Sequence, residues 1–236
     1  MAEINHNETN YNGLRELQDR RAKLLKSKES EFRKQIQETN MADWVNSVPE
    51  LYKKADLRFF SRRITASVMT MLKNKRLPYR TVIFGQSGSG RTFFLYGFLK
   101  LCIYSGLVTP NEIRIAGIRE AADAISGGFQ KQGWRDRFFD PRAKLIVIKG
   151  TSLEFTELGI KGSDRFLGEF TQFANENHIS VVVLYETSIK EENAINSGRP
   201  FIPRLSQRNN LVASLLTNQP MNIHVTFDSH VSPDNR

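Results

Sequence analysis

The sequence predicts an α/β fold, a three-layer P-loop sandwich with a parallel sheet, preceded by an N-terminal helical region. Three observations predict it. From Tyr79 onward, short apolar segments alternate with helical ones. Leu145-Ile146-Val147-Ile148 and Val181-Val182-Val183-Leu184-Tyr185 are unbroken apolar runs, the pattern of parallel strands covered on both faces. A glycine-rich loop at residues 85–92 falls between a strand and a helix.

In chain order, the 236 residues divide into an N-terminal helical arm (1–47), a lead-in with helices (48–78) and the P-loop domain (79–236). Residues 1–11 are polar and Asn-rich, which predicts a mobile end. Leu14, Leu17, Leu24, Leu25, Phe32 and Ile36 then fall on one helical stripe, charges fill the other faces, and no Gly or Pro intervenes. The spacing predicts a helix of about six turns. Its stripe fits packing on its own domain, a self-paired coil or a partner protein, although charges interrupt it too often for a strong coiled-coil pattern. Val48-Pro49-Glu50 starts a turn or a new helix. In the segment that follows, Lys53, Lys54, Arg58, Arg62 and Arg63 surround Phe59 and Phe60. These cations are candidate contacts to a phosphate backbone, with a ring to stack on a base. Alternatively the segment is an amphipathic helix start that places Phe59 or Phe60 in the core. Residues 64–75 read as a helix that ends at Leu77-Pro78.

Within 79–236 the expected strands are 81–84, 112–116, 143–148, 179–185 and 221–227. The expected helices are 91–105, 120–129, 164–177 and 210–216.

Lys and Arg total 34 against 25 Asp and Glu, a net charge of +9. Residues 1–80 carry 17 against 10 (+7), and the remaining residues 17 against 15 (+2). A basic N-terminal third suits a polyanion, usually nucleic acid; solubility alone is the alternative. The single cysteine, Cys102, cannot form a disulfide within the chain and sits among apolar neighbours, the setting of a buried small residue. A reducing compartment follows, and with no apolar signal core and no run of roughly 18–20 apolar residues the expectation is a cytoplasmic protein.

Gly85-Gln86-Ser87-Gly88-Ser89-Gly90-Arg91-Thr92 matches the phosphate-binding pattern G-x-x-x-x-G-K-[ST] everywhere except at the lysine, where Arg91 stands. Glycines allow the backbone to fold into a concave nest of N–H groups, and the helix N-terminus adds its positive dipole end. All eight residues are therefore candidate ligands for ATP or ADP, and Thr92 would offer its hydroxyl to Mg²⁺. Arginine is planar and forked where lysine is a slender point charge, so the exchange is not conservative.

A second departure concerns acids. A later strand of this fold should end in one or two carboxylates that hold Mg²⁺ and polarise water. Leu145-Ile146-Val147-Ile148 is followed instead by Lys149-Gly150, with Asp140 too early and Glu154 several residues late. A cation near Arg91 repels Mg²⁺, so the pattern predicts weak or absent hydrolysis and a doubtful Mg²⁺ site. The strand ending in Glu186 offers an acid of its own, but its position suits the next strand of the fold. His6, His178, His224 and His230 are scattered with no metal-ligand spacing, and read as ordinary surface or core. Arg199, Arg204 and Arg208 cluster near prolines, as a solvated loop or as the source of an arginine finger.

The order of these features resembles the DnaC/DnaI-type helicase loaders and the related IstB-type transposition helper ATPases, which are AAA+ proteins. Val48-Pro49-Glu50-Leu51-Tyr52 and Ala55-Asp56-Leu57 look like that family's lead-in. The 85–92 loop is similar to its phosphate loop, and the strand 145–148 to its acidic strand with the acids lost. The strand ending at Glu186 resembles its sensor strand, which makes Glu186 a candidate sensor. Arg204-Leu205 resembles the element carrying its interfacial arginine. Residues 223–228 look like its closing strand, with Arg236 in reach of a terminal sensor arginine. The resemblance spans roughly 48–236. It implies an AAA+ fold, an N-terminal region gripping a hexameric replicative helicase, single-stranded DNA contact and self-association or a ring partner. A transposition or plasmid regulator acting on duplex DNA, and a nucleotide-independent scaffold, are the competing expectations.

Overall fold

The computed structural model describes residues 6–120, 138–151, 154, 163–199 and 221–226. The arm is one α-helix, α1 (His6–Ser47), 42 residues long. It begins inside the stretch expected to be mobile, so residues 6–11 are helical rather than loose. Asn and Ser/Thr at such a start compete poorly with a helix that continues for many turns beyond them. Two single 3₁₀ turns, Glu50–Tyr52 and Leu57–Phe59, lead to α2 (Arg62–Lys73). Pro49 stops continuation of α1, and the Asp56 side chain accepts from the Arg58 N–H to cap the second turn.

Five strands then form one parallel sheet: β1 (Arg80–Gly85), β2 (Ile113–Gly117), β3 (Leu145–Thr151), β4 (Ser180–Glu186) and β5 (Met221–His224). Their order across the sheet is β2-β3-β4-β1-β5. The helices are α3 (Arg91–Tyr104), α4 (Ser163–Glu176) and α5 (Ile189–Asn196). The architecture is the expected three-layer α/β sandwich behind an N-terminal helix. The strands expected at 81–84, 112–116, 143–148, 179–185 and 221–227 are present with ends shifted by a few residues. Residues 225 and 226 fall outside β5. The helices expected at 120–129 and 210–216 lie outside the described residues, save residue 120. The sequence reading missed α5. Its Ser188-x-x-Glu191 capping box was the available signal, since the Ser188 hydroxyl accepts from the Glu191 N–H while the Glu191 side chain reaches back to the cap.

Strand alternation sorts the core into two halves. Val82, Phe84, Ile146, Ile148, Val181, Val183 and Tyr185 face Phe138 and the Phe170–Ala174 side of α4. Ile83, Leu145, Val147, Val182, Leu184 and Ile223 face α3, α2 and the end of α1. Trp44 and Val48, at the C-terminal end of the arm, are buried in this second half, and Trp44 lies 5.9 Å from Tyr96 of α3, ring centre to ring centre. Cys102 is fully buried there as well, and burial pushes its thiol up to about 12. It is a packing residue.

Candidate phosphate loop and its surroundings

The centre of the sheet ends in the candidate site. β1 terminates at Gly85, whose φ of 153° and close approach to the next strand both demand glycine: a Cβ there would lie 2.1 Å from the Val225 carbonyl oxygen. Gly88 and Gly90 have φ of 78° and 87°, and Gly90 is the left-handed N-cap of α3. Between them the Ser89 N–H bonds to the Gln86 carbonyl. Gln86 and Thr92 are half-buried, Ser87 and Gly88 exposed, and Ser89 buried. The loop therefore winds into the first turn of α3, and that turn carries no acid.

Arg91 does not project freely from this loop. Its Nη2 donates to Glu186 Oε2 at 2.6 Å, and its Nε donates to the Gln86 carbonyl oxygen at 3.2 Å. The Arg91 side chain is 10% exposed and that of Glu186 35%. Parallel pairing explains the meeting. Gly85 stands opposite Glu186 of β4, and Glu186 stands opposite Thr151 of β3, so the three strand ends form one row at the tip of the sheet. Lys149 lies two residues back from that row, opposite Leu184, and makes no ion pair among the described residues. The strand beside β4 therefore runs on past the cation to Thr151 instead of stopping before it. Glu154, which the sequence placed too late, bends back: its carboxylate accepts from the Thr151 N–H at 2.9 Å and its own N–H donates to the Thr151 hydroxyl at 3.1 Å. Asp140 is taken up elsewhere, bonded by Arg142 and by Arg114 of β2, and those guanidinium groups hold its carboxyl well below the usual carboxylate range. No group of three or more metal-ligating side chains occurs among the described residues.

The loop's other flank carries a buried polar network that sequence reasoning did not find. Glu192 accepts from the Thr187 hydroxyl at 2.7 Å and pairs with His224 Nε2 at 2.6 Å, while the Tyr185 hydroxyl donates to Glu191 at 2.6 Å. The Thr187 N–H donates to the Gly85 carbonyl, and the His224 ring stacks on Phe84 at 4.8 Å. His224 is therefore neither plain surface nor plain core. These bonds fix the start of α5 against the strand ends that frame the loop. The Ser188–Glu191 capping box was the one sequence clue to them.

The basic segment resolves into local pairs. Lys53 bonds Glu50 at 2.6 Å and Arg58 bonds Asp56 at 2.7 Å, while Lys54, Arg62 and Arg63 are exposed. Phe60 is fully buried, edge-on to Phe94, so the core alternative holds for Phe60, while Phe59 is half-buried against Phe93. Arg58 and Arg62 rim a largely apolar groove of about 1000 Å³ between α2 and α3 that includes Met41, Met69 and Tyr104. Arg63 borders a smaller cavity of about 450 Å³ shared with His224. The arm's stripe is exposed: Leu24 by 58% and Phe32 by 64%, with Leu17, Leu25 and Ile36 also open. It does not pack on its own domain. Arg199 is exposed and His178 lies on the surface. Arg204, Arg208, His230 and Arg236 lie outside the described residues. No described helix is long and apolar enough to cross a membrane.

The parallel sheet with order β2-β3-β4-β1-β5, the glycine loop after β1 and the flanking helices define an AAA+-type P-loop fold. The chain has the AAA+ fold of the DnaC helicase loader: a crystal structure of that protein superimposes with a TM-score of 0.51 at 12% identity, covering 75% of this chain and all of the other. AMPPCP-bound DnaA from Aquifex aeolicus superimposes with a TM-score of 0.50 at 13% identity, covering 75% of this chain and 51% of DnaA, so this match spans about half of that relative. The sequence matches no protein-family model and no curated protein.

Proposed function

We propose that the chain is a DNA-replication accessory protein of helicase-loader type, in which residues 1–47 form the partner-binding arm, 48–78 the lead-in and 79–236 the AAA+ domain. The observation that carries this reading is the exposed stripe of α1 in front of a DnaC-like fold. An unpaired row of Leu, Phe and Ile on a long helix is an interaction surface waiting for an apolar groove. The partner is a hexameric replicative helicase, with single-stranded DNA met by Lys53, Lys54, Arg58, Arg62 and Arg63, and with self-association or a ring partner completed by Arg204 as the interfacial arginine. Residues 48–80 carry 9 Lys and Arg against 2 Asp and Glu, and that charge favours the polyanion on electrostatic grounds.

The loop's fit to the implied cofactors differs between phosphate and metal. Gly85, Gly88 and Gly90 leave backbone N–H groups and a helix N-terminus for the phosphates of ATP or ADP, with Gln86, Ser87 and Ser89 between them. Arg91 and Lys149 supply positive charge. A bound nucleotide would supply an exchangeable polyanion that orders the loop. Mg²⁺ fits poorly: Thr92 offers a hydroxyl, but Glu186 is engaged by Arg91 and Lys149 adds a like charge. Hydrolysis is accordingly weak or absent, and Glu186 acts as a sensor of loop occupancy rather than as a base.

The test is affinity capture of a purified replicative helicase by the full chain and by a variant with Leu17, Leu24, Leu25 and Phe32 all changed to Ser. Capture by the first only supports the reading. Equal capture by both, or by neither, sinks it. The Arg91–Glu186 pair favours a second reading, a scaffold independent of nucleotide; capture unchanged in Arg91→Ala and Thr92→Ala with no nucleotide bound would establish that one.

A further inference from the structure

We propose that Glu186 is an internal competitor for the phosphate seat, a built-in anion that holds Arg91 when the loop is empty and sets how tightly the loop takes a polyphosphate. The inference rests on the reading of residues 85–92 as a phosphate site and adds the residue that governs it.

Arg91 has two bonds in the structure. The one to Gln86 closes the loop on itself, and the one to Glu186 joins the loop to the end of β4. A guanidinium offers five donors in a rigid fork and seeks planar oxyanions, so a carboxylate and a phosphate compete for the same face of it. The pair is held in place from both sides. Arg91 begins α3 immediately after the Gly90 cap, and Glu186 is locked opposite Gly85 by strand register and by the Thr187 N–H bond to the Gly85 carbonyl. With Arg91 largely buried, solvent screens the contact less than it would a surface pair. A polyphosphate that enters the loop must draw Arg91 off Glu186, which leaves that carboxylate facing the incoming negative charge. Both effects oppose binding. Arg91 has Nη2 committed to Glu186 and Nε to Gln86, so that edge of the guanidinium takes a phosphate only by letting the carboxylate go.

The experiment titrates full-length protein with sodium tripolyphosphate in magnesium-free buffer by calorimetry, wild type beside Glu186→Gln. Glutamine keeps the size and one acceptor while removing the charge. The expected result is binding tighter by about tenfold or more in Glu186→Gln, and lost in Arg91→Ala and in the double variant. Glu186→Asp, one methylene shorter, is the second variant: it too should tighten binding if reach to Arg91 matters, and it decides the matter if Glu186→Gln gives no cooperative melt. Binding that is equal or weaker in folded Glu186→Gln overturns the proposal, as does absence of binding in wild type and both Glu186 variants up to millimolar ligand. A merely structural role would lower the melting temperature and leave affinity unchanged. The helicase capture is scored on the arm in a separate experiment, so failure of either proposal is read without the other.

Discussion

At the scale of single residues, the buried and half-buried acids Asp140, Glu186 and Glu192 each sit against a basic neighbour. Asp140 shows how this converts into a pH dependence. Its carboxyl is pulled below its ordinary value by hydrogen bonds from Arg142 and then from Arg114, against a desolvation effect that acts the other way. A carboxyl depressed in the folded state stabilises above its unfolded pKa, near 3.8 here, and that contribution fades as pH falls through the folded value. Asp140→Asn should therefore be less stable than wild type at pH 7, with the gap narrowing below about pH 4. Urea melts at pH 7 and pH 3 check this; a gap that stays constant would show that the loss is one of shape rather than charge. Arg91 is also paired, with Glu186 at the loop. Sequence alone exposed the missing lysine but not the partner of its replacement, because Glu186 lies 95 residues away and only strand register brings it within bonding distance. Glu192 was hidden in the same way, since its partner His224 lies 32 residues on.

At the scale of elements, the arm has two unlike halves. Trp44 is a core residue, while Leu24 and Phe32 are open to solvent. Trp44→Ala should cost about 3–5 kcal/mol of stability by emptying a packed site against Tyr96. The Ser substitutions along the stripe should each change stability by no more than about 0.5 kcal/mol. Chemical denaturation of the two sets distinguishes an arm that is docked at its end from one that is folded throughout onto the domain. What was legible in the sequence followed from periodicity. Unbroken apolar strands, the glycine loop and the long stripe declared themselves, since each is a local pattern with one physical solution. The short helix α5 did not, because it has only eight residues and its buried face is made of two glutamates, which no apolar periodicity can mark. The role of Phe60 was undecidable from composition and was settled by its burial beside Phe94.

At the scale of the whole molecule, a 42-residue helix extends about 63 Å, whereas a compact chain of this length has a radius of gyration of about 18 Å. Small-angle X-ray scattering should return a radius clearly above that figure, and a value near it would mean that the arm folds back in solution. The net charge of +9 favours monodisperse behaviour in such a measurement. The contact between Trp44 and Tyr96 then takes on a mechanical meaning. Tyr96 belongs to α3, the same helix whose first residue is Arg91. A fulcrum at that contact would therefore sit on the helix that begins at the glycine loop. Leu24 stands about 30 Å along the axis from Trp44, so a tilt of about 10° at the fulcrum swings it by roughly 5 Å, close to one helical turn.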